Sequence, residues 1–446
     1  MRKLKPTIFL ISISAIIYLL LLYPRQTLIV TAYGLSIIYT FWGVYHIVIL
    51  IAGLKKPFDP GRNPKSYPKI SLIIPARDEP ILQRTLEVSM NNVEYPVDKK
   101  EILVVTEDPV GERISTWYSQ VYPGKIIPLI RREYFPTKPS ALNDSLALCK
   151  GELIGIVDVE DIPDIDTFLK VASAFENHGL DSVQAILRIS NESDNWITKI
   201  FSMEYAGWFR VMLNGRSRLG LYTPLGGTGN YVKRSLINEV GRWDPLNIAE
   251  DAEITVRFYL SGRRTVVIDA RHWEEAPTTF NAWLRQRTRW FRGWIQSLEK
   301  YFRVIIRFVI TKRLNLIKAL SILSMLIAPI IVVLNWLAYY LTIYWALEYF
   351  DIIPLNLMEN TFPWWAILPL AFNVIYYYTW IKGAILEGIG TAKSLAKYLP
   401  HMIFYMNFMM PLASIRAIYQ EIFKDVFWEK TKHVGKGVKW TIVEKK

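Results

Sequence analysis

Cysteine is almost absent from this chain, with one residue, Cys149, in 446. That excludes an internal disulfide framework and any cysteine-rich zinc site, and it suits a reducing compartment. A lone cysteine of this kind reads as a small core residue. Two phosphate-binding signatures are also missing. No Gly-x-Gly-x-x-Gly follows the first strand candidate and no Gly-x-x-x-x-Gly-Lys-[Ser/Thr] occurs anywhere, which disfavours dinucleotide and P-loop binding by those routes. Acidic charge is in deficit, with 40 Asp and Glu against 53 Lys and Arg, for a formal net charge of +13. Such basicity fits nucleic acid, an anionic bilayer surface or a phosphate-bearing substrate, and long apolar runs favour the last two.

Hydrophobic residues make up 51% of the chain, aromatic residues 14% and charged residues 21%, a balance that implies one part in membrane and one in water. Apolar runs from about Thr7 to Tyr23 and Leu28 to Leu54 flank a short Pro24-Arg25-Gln26 break and read as two transmembrane helices. A cleaved signal peptide also begins basic and then apolar, but no small-residue cleavage pattern follows and a second run arrives at once. Arg2, Lys3 and Lys5 before the pair and Lys55-Lys56 after it should both face the cytoplasm. A third run covers about Leu314 to Leu347 and a fourth about Phe362 to Ile385. The segment between them carries Glu348, Asp351 and Glu359 without Lys or Arg and is expected outside. Leu399 to Phe423 is apolar enough to span but holds His401, Asn407 and Arg416, so it crosses or lies in the interface.

Between the two pairs lies a polar block of ordinary domain size. Lys69 to Pro75, Glu101 to Thr106 and Leu153 to Asp158 read as buried strands alternating with helical stretches, which predicts an α/β domain with a mainly parallel sheet. Such sheets bind ligands at the carboxyl ends of their strands. There stand Arg77, Asp78 and Glu79 after the first strand, Glu107 and Asp108 after the second, and Asp158 to Asp161 after the third. Hard oxygen ligands in that last cluster suit Mg²⁺ or Mn²⁺, which bridges phosphate oxygens. Taken alone, such a cluster is more often a turn or a helix cap than a metal site, and Glu250-Asp251 could serve merely to complement a helix dipole.

Six ordered segments lift both pairs above that reading. Ile73-Ile74-Pro75-Ala76-Arg77-Asp78-Glu79, Thr137-Lys138-Pro139-Ser140-Ala141-Leu142-Asn143, Asp158-Val159-Glu160, Pro224-Leu225-Gly226-Gly227-Thr228-Gly229-Asn230, Ala249-Glu250-Asp251 and Gln286-Arg287-Thr288-Arg289-Trp290 together resemble the family 2 glycosyltransferases, in particular their cellulose-synthase-like membrane branch. Glu160 stands where that family usually has Asp, Asp78 where Asn is common, and Thr106-Glu107-Asp108 where it has Asp-Asp-Gly, which leaves the base contact to Glu107 or Asp108.

The resemblance implies a GT-A-like glycosyltransferase domain inserted between transmembrane helices. Residues 1–56 would hold two spans, 57–301 the cytoplasmic catalytic domain with interfacial helices, 302–423 two further spans plus a re-entrant or interfacial helix, and 424–446 a basic cytoplasmic tail. In that tail Phe427 to His433 is similar to a gating loop over the active site. The protein would then sit in the cell membrane and move a hexose by inversion from GDP-mannose or UDP-glucose to a lipid-linked or glycolipid acceptor. Asp251 would be the base, supported by Glu250, and Asp158 and Glu160 would hold Mg²⁺ or Mn²⁺. Pro75, Ala76, Arg77, Glu79, Glu107, Lys138, Asp158, Gln286 and Arg289 would bind the nucleotide. Gly227, Thr228 and Trp290 would meet the acceptor. Membrane lipids are expected partners. Nucleic acid is not, although the basic-aromatic stretch Arg285 to Phe308 could be read that way, because the adjacent spans point it to lipid headgroups. The alternatives are a processive polysaccharide synthase, for which four spans are few, and an inactive scaffold, which intact acids disfavour.

Overall fold

Ile70–Ala76 (β1) is apolar except for Ser71 and Lys100–Thr106 (β2) is buried along its whole length, as expected of strands covered on both faces. Lys100 and Glu101 tolerate that burial because each is bonded. The Lys100 ammonium donates to the carbonyls of Ser89, Met90 and Val93, and Glu101 pairs with Lys69 at 2.7 Å. The remaining strands are Ile126–Ile130 (β3), Leu153–Ile156 (β4), Ile162–Pro163 (β5), Ser182–Ile189 (β6), Asn230–Lys233 (β7) and Thr265–Glu274 (β8). They form one sheet in the order β3-β2-β1-β4-β7-β6-β8-β5. The computed structural model describes residues 5–132, 135–353 and 368–425; the Phe427 to His433 tail and the first residues of the fourth apolar run lie outside them.

The sheet departs from the mainly parallel one expected. β3, β2, β1 and β4 are parallel neighbours, and so are β6 and β8, but β7 opposes both β4 and β6, and β5 opposes β8. The glycine-rich segment before β7 supplies the reason. It crosses the carboxyl end of β4 and turns at Gly229, where φ is +60°, a conformation glycine adopts without strain. The chain therefore enters the sheet from the site end and must run against β4.

Lys5–Leu22 buries nothing, whereas Pro24–Gly53 buries Leu35, Tyr39, Trp42, His46, Ile49 and Gly53, the three-and-four spacing of one helical face. That face meets Ile331, Ala338, Leu341 and Trp345 of the Ala328–Tyr349 helix. Lys5–Leu22, Pro24–Gly53 and Ala328–Tyr349 are long and apolar enough to cross a membrane. The expected third run is not one helix but two, Leu316–Leu326 and Ala328–Tyr349. Pro329 lies in the first turn of the second, where its missing N–H costs nothing but an uninterrupted helix could not continue through it.

Arg210 and Asn214 donate to the carbonyls of Gly53 and Lys55, closing the last turn of the membrane helix onto the catalytic block. The Phe280–Ile310 helix runs through the boundary expected at 301. Leu399–Phe404 and Met410–Phe423, joined by a π-helical Tyr405–Met409, bury Met402, Met409, Ala413 and Ala417 against it and expose Phe404, Phe408, Ile415 and Tyr419.

Candidate active site

The carboxyl ends of β1 and β2 finish level, with Ala76 opposite Thr106, and β4 ends at Ile156 opposite Ile73, three residues short of them. Arg77 and Glu79, Glu107, and Asp158 and Glu160 thus emerge beside one another into a single cavity of about 350 Å³. Asp78 has φ of +59°, a left-handed conformation that Asp and Asn both tolerate; its N–H donates to Asp108 at 2.8 Å. Asp108 also accepts from Val110 and Gly111 as the N-cap of the Pro109–Val121 helix. Of the two acids left open by the sequence, Glu107 is the one that lines the cavity, paired with buried Arg131.

Lys138 opens the Lys138–Leu146 helix and reaches across the cavity floor. Its ammonium lies 2.6 Å from Asp158 Oδ1, 2.8 Å from the Gly227 carbonyl and 3.4 Å from Glu250 Oε1. Burial opposes that charge, but Asp158 and Glu250 outweigh it and the pKa is raised. Burial, and after it the charge of Asp158, pushes the Glu160 carboxyl up to about 8. Glu274, on β8, is raised well above its ordinary value by burial and by Asp161, Asp158 and Glu160.

Glu250 and Asp251 begin the Glu250–Leu260 helix. Burial first, and the Glu250 charge second, raises Asp251 to about 7. Opposite them the Phe280–Ile310 helix presents Gln286, Arg289 and Trp290 at the three-and-four spacing that puts side chains on one face. The pKa of Arg289 is lowered by burial against the pull of Glu250, Asp158, Glu160 and Asp251, and a guanidinium so placed stays charged.

The two helices approach through Gly293. A Cβ there would fall 2.3 Å from Ala249 Cβ and 2.6 Å from its backbone N. Gly293→Ala is therefore expected to destabilise the protein by about 1–3 kcal/mol through overpacking and to displace Asp251 from Trp290. A thermal melt in detergent with parallel activity reads both.

Of the expected site residues, Pro75, Ala76, Arg77, Glu79, Glu107, Lys138, Asp158, Glu160, Gly227, Glu250, Asp251, Gln286, Arg289 and Trp290 all line this cavity. Thr228 does not. Its side chain is buried, with the hydroxyl accepting from the Asp158 N–H at 3.0 Å and donating to the Asp161 carboxylate. Asp161 in turn meets His272 Nδ1 at 2.8 Å, and His272 Nε2 meets the Tyr231 hydroxyl at 2.9 Å. This buried chain holds the acidic turn from behind.

Gly227 is different. A Cβ on it would find Lys138 Nζ at 3.5 Å, Asp251 Oδ2 at 3.7 Å and Asp158 Oδ2 at 4.0 Å. Gly227→Ala should fold normally, since those are ordinary contacts. It would occupy the space between the two aspartates, and a drop in activity of about tenfold or more, with an unchanged melt, is the expected reading.

Reasoning from sequence missed Glu204, Tyr205 and the part played by Arg287. Arg287 binds Glu204 bidentately at 2.9 and 2.6 Å and lies 4.6 Å over the Trp290 ring. The Tyr405 hydroxyl donates to Glu204 at 2.6 Å, so the Arg287 that packs on the indole is itself held in place, and Trp290 lines the cavity. Arg287 stood inside a noted motif, but Glu204 carried no local signal. The cavity continues past Trp290 between the membrane helices, to Ile331, Val332, Asn335, Tyr376, Met406 and Met410.

A probable glycosyltransferase of Bacillus subtilis, YdaM, is 28% identical over 262 residues, 56% of this chain and 62% of the relative. A beta-monoglucosyldiacylglycerol synthase of Nostoc sp. is 27% identical over 270 residues, 59% of this chain and 57% of the relative. The chain thus spans about three-fifths of the length of these curated relatives. In fold it is similar to the mannosyltransferase PcManGT from Pyrobaculum calidifontis, solved in complex with GDP-Man and Mn²⁺, with a TM-score of 0.51 over 90% of this chain and 98% of that one at 18% identity. The model of Glycosyl transferase family group 2 matches residues 153–386, and with more than half of its length inside that match, the chain belongs to this family.

Proposed function

We propose that the protein is a membrane-embedded, inverting hexosyltransferase that carries mannose or glucose from GDP-mannose or UDP-glucose to a lipid-linked or glycolipid acceptor. The observation that carries this reading is the cavity itself, which joins the acidic strand ends to the space between membrane helices without interruption. The names of the relatives support a nucleotide-sugar donor and a lipid acceptor.

Asp158 and Glu160 fit a divalent ion. They are two acids at one strand end; burial first and the Asp158 charge second raise Glu160, and a cation would relieve that repulsion. Among the described residues no group of three or more His, Cys, Asp or Glu stands ready to hold a metal. The remaining ligands would therefore be diphosphate oxygens and water, as is usual for Mg²⁺ and Mn²⁺ at phosphates. When bound, the ion supplies Lewis-acid stabilisation of the departing diphosphate.

Asp251 takes the proton of the acceptor hydroxyl. The hydroxyl oxygen bonds to the anomeric carbon as the bond from that carbon to the diphosphate breaks. Arg289 and Lys138 lie where negative charge grows on the leaving group. Glu79 and Glu107 meet ribose and base, Arg77 and Gln286 the phosphates, with Pro75 and Ala76 walling the nucleotide. Trp290 stacks on a sugar ring, Glu250 holds Lys138, and Thr228 positions the Asp158 turn.

The cytoplasmic orientation of this GT-A-like domain has support from charge and contact. Lys5, at the start of the first membrane helix, bonds Glu421 at 2.8 Å, and the end of the second is tied to Arg210 and Asn214. Both ends thus lie on the catalytic side, as two crossings require. Incubating purified protein with a panel of nucleotide sugars, Mn²⁺ or Mg²⁺ and bilayer lipids should release UDP or GDP with one of them. Long insoluble products would favour a cellulose-synthase-like polymerase, and no release at all would favour an inactive scaffold.

A further inference from the structure

The two halves of the Phe280–Ile310 helix face different surroundings. The basic residues of the first half are engaged within the fold, Arg287 by Glu204 and Arg292 by Glu421. From Phe302 onward the helix reaches out. Phe302, Ile306 and Ile310 recur every four residues and are exposed on one face. Beside and beyond them stand Arg303, Arg307, Lys312, Arg313 and Lys318, all exposed. No acid occurs in the sequence between Glu299 and Glu348, and these five cations meet no carboxylate among the described residues. The turn that ends the helix is itself built on one of them. Lys312 has φ of +56°; its N–H donates to the Val309 carbonyl at 3.0 Å and that of Arg313 to the Phe308 carbonyl at 2.9 Å. Glycine usually makes this helix stop, so the lysine places a charge where glycine would relax the backbone.

This helix end lies where two membrane helices begin. Lys5, the first residue of Lys5–Leu22, meets Glu299 at 2.5 Å, and Leu316–Leu326 leads through Ile327 into Ala328–Tyr349. The same helix end holds the segment that carries Asp251. Ser297 accepts from the Asn247 amide at 3.0 Å and Gln296 from the Ile248 N–H at 3.2 Å, while Lys300 and Tyr301 both donate to Glu253, two residues past Asp251.

We infer that residues 302–318 form a docking surface for the headgroups of anionic phospholipids, and that lipid charge, by seating this helix end, sets the position of Asp251 and the rate of transfer. This rests on the reading of the protein as a membrane-embedded transferase. The apolar stripe enters the acyl boundary while the long basic side chains keep their charges at headgroup level. A zwitterionic surface offers those charges no net field, whereas an anionic one strengthens the attraction about fivefold for each cation. Nucleic acid would match the charge but leave Phe302, Ile306 and Ile310 in water.

The test uses the full chain in phosphatidylcholine vesicles with and without phosphatidylglycerol. An environment-sensitive label on Ile310→Cys reports docking, since Cys149 is buried, and nucleoside diphosphate release reports catalysis. Phosphatidylglycerol should shift the label to the blue and raise kcat about fivefold or more. Salt at about 1 M, which shortens the screening length to about 3 Å, should reverse both. The triple variant Arg303→Gln, Arg307→Gln, Lys312→Gly should keep the wild-type kcat in phosphatidylcholine alone and lose most of the response. If that variant melts early, Lys312→Gly alone, which relaxes the turn, should at least halve the response. The same label emission and kcat in both vesicles overturns the inference, as does a variant that responds like the wild type. A shift of equal size with RNA and neutral vesicles overturns the lipid assignment. A label that shifts with phosphatidylglycerol while no vesicle supports nucleotide release upholds the docking surface, and removes the transferase reading together with the link to rate.

Discussion

Asp251→Asn is expected to lower sugar transfer by about 10²–10⁴-fold, the usual contribution of a positioned general base, with no loss of stability. The amide keeps the shape of the carboxylate and can still accept the Ala252 N–H now bonded at 2.8 Å. What it cannot do is take a proton. Asp251 is raised to about 7 by burial and by Glu250, so in the wild type the competent, unprotonated form grows as pH rises. Transfer should climb about tenfold per pH unit below 7 and level off above. The stability effect has the opposite sign. Between the ordinary carboxylate range and about 7 the folded chain keeps a proton that the unfolded chain has released, so stability falls as pH rises through that window. Asn carries no such cost, and the variant should melt no lower than wild type at pH 8. Near wild-type turnover by the purified variant would remove Asp251 from the role of base.

Much of the site was legible because its residues sit at strand ends that are themselves legible. Ile70 to Ile74 and Ile102 to Thr106 are buried throughout, and that burial makes them readable as largely apolar runs with acids soon after their ends. The Gln286, Arg289 and Trp290 face follows from helical spacing. The sheet's mixed sense was not legible in the same way. β7 has four residues, Asn-Tyr-Val-Lys, too few for a period, and its direction depends on where the glycine-rich segment leaves it. Thr228 illustrates the same limit. It adjoins Gly227 in sequence, but the turn into β7 aims its hydroxyl away from the cavity, toward Asp158 and Asp161. Glu204 meets Arg287 across 83 residues, a pairing no local pattern encodes. The helix break at Pro329 did have a local signal, the proline itself, which a long apolar run obscured.

Asp158→Ala should abolish metal-dependent transfer, with a loss of about 10²-fold or more, and should do so without unfolding the protein. The second point follows from the contacts around Lys138. Removing the Asp158 carboxylate takes away its 2.6 Å partner but leaves the Gly227 carbonyl at 2.8 Å and Glu250 at 3.4 Å, so the buried ammonium is not stranded. Thr228 still holds the turn, since it bonds the Asp158 backbone rather than the side chain. The substitution therefore isolates one function. With Asp158 gone, Glu160 is the acid left at that strand end to meet the ion, and it also loses the like charge that was the largest cause, after burial, of its raised pKa. It becomes easier to ionise, yet a single carboxylate cannot replace a pair. A titration of Mn²⁺ followed by its paramagnetic resonance signal, with and without the nucleoside diphosphate, separates binding from catalysis. Weakened binding of at least about tenfold in both conditions, together with lost turnover, is the expected result. Turnover by the variant in the presence of a chelator, at a rate close to that of the wild type with Mn²⁺, would mean that Lys138 and Arg289 alone carry the leaving group and that the acidic turn serves only to orient Lys138.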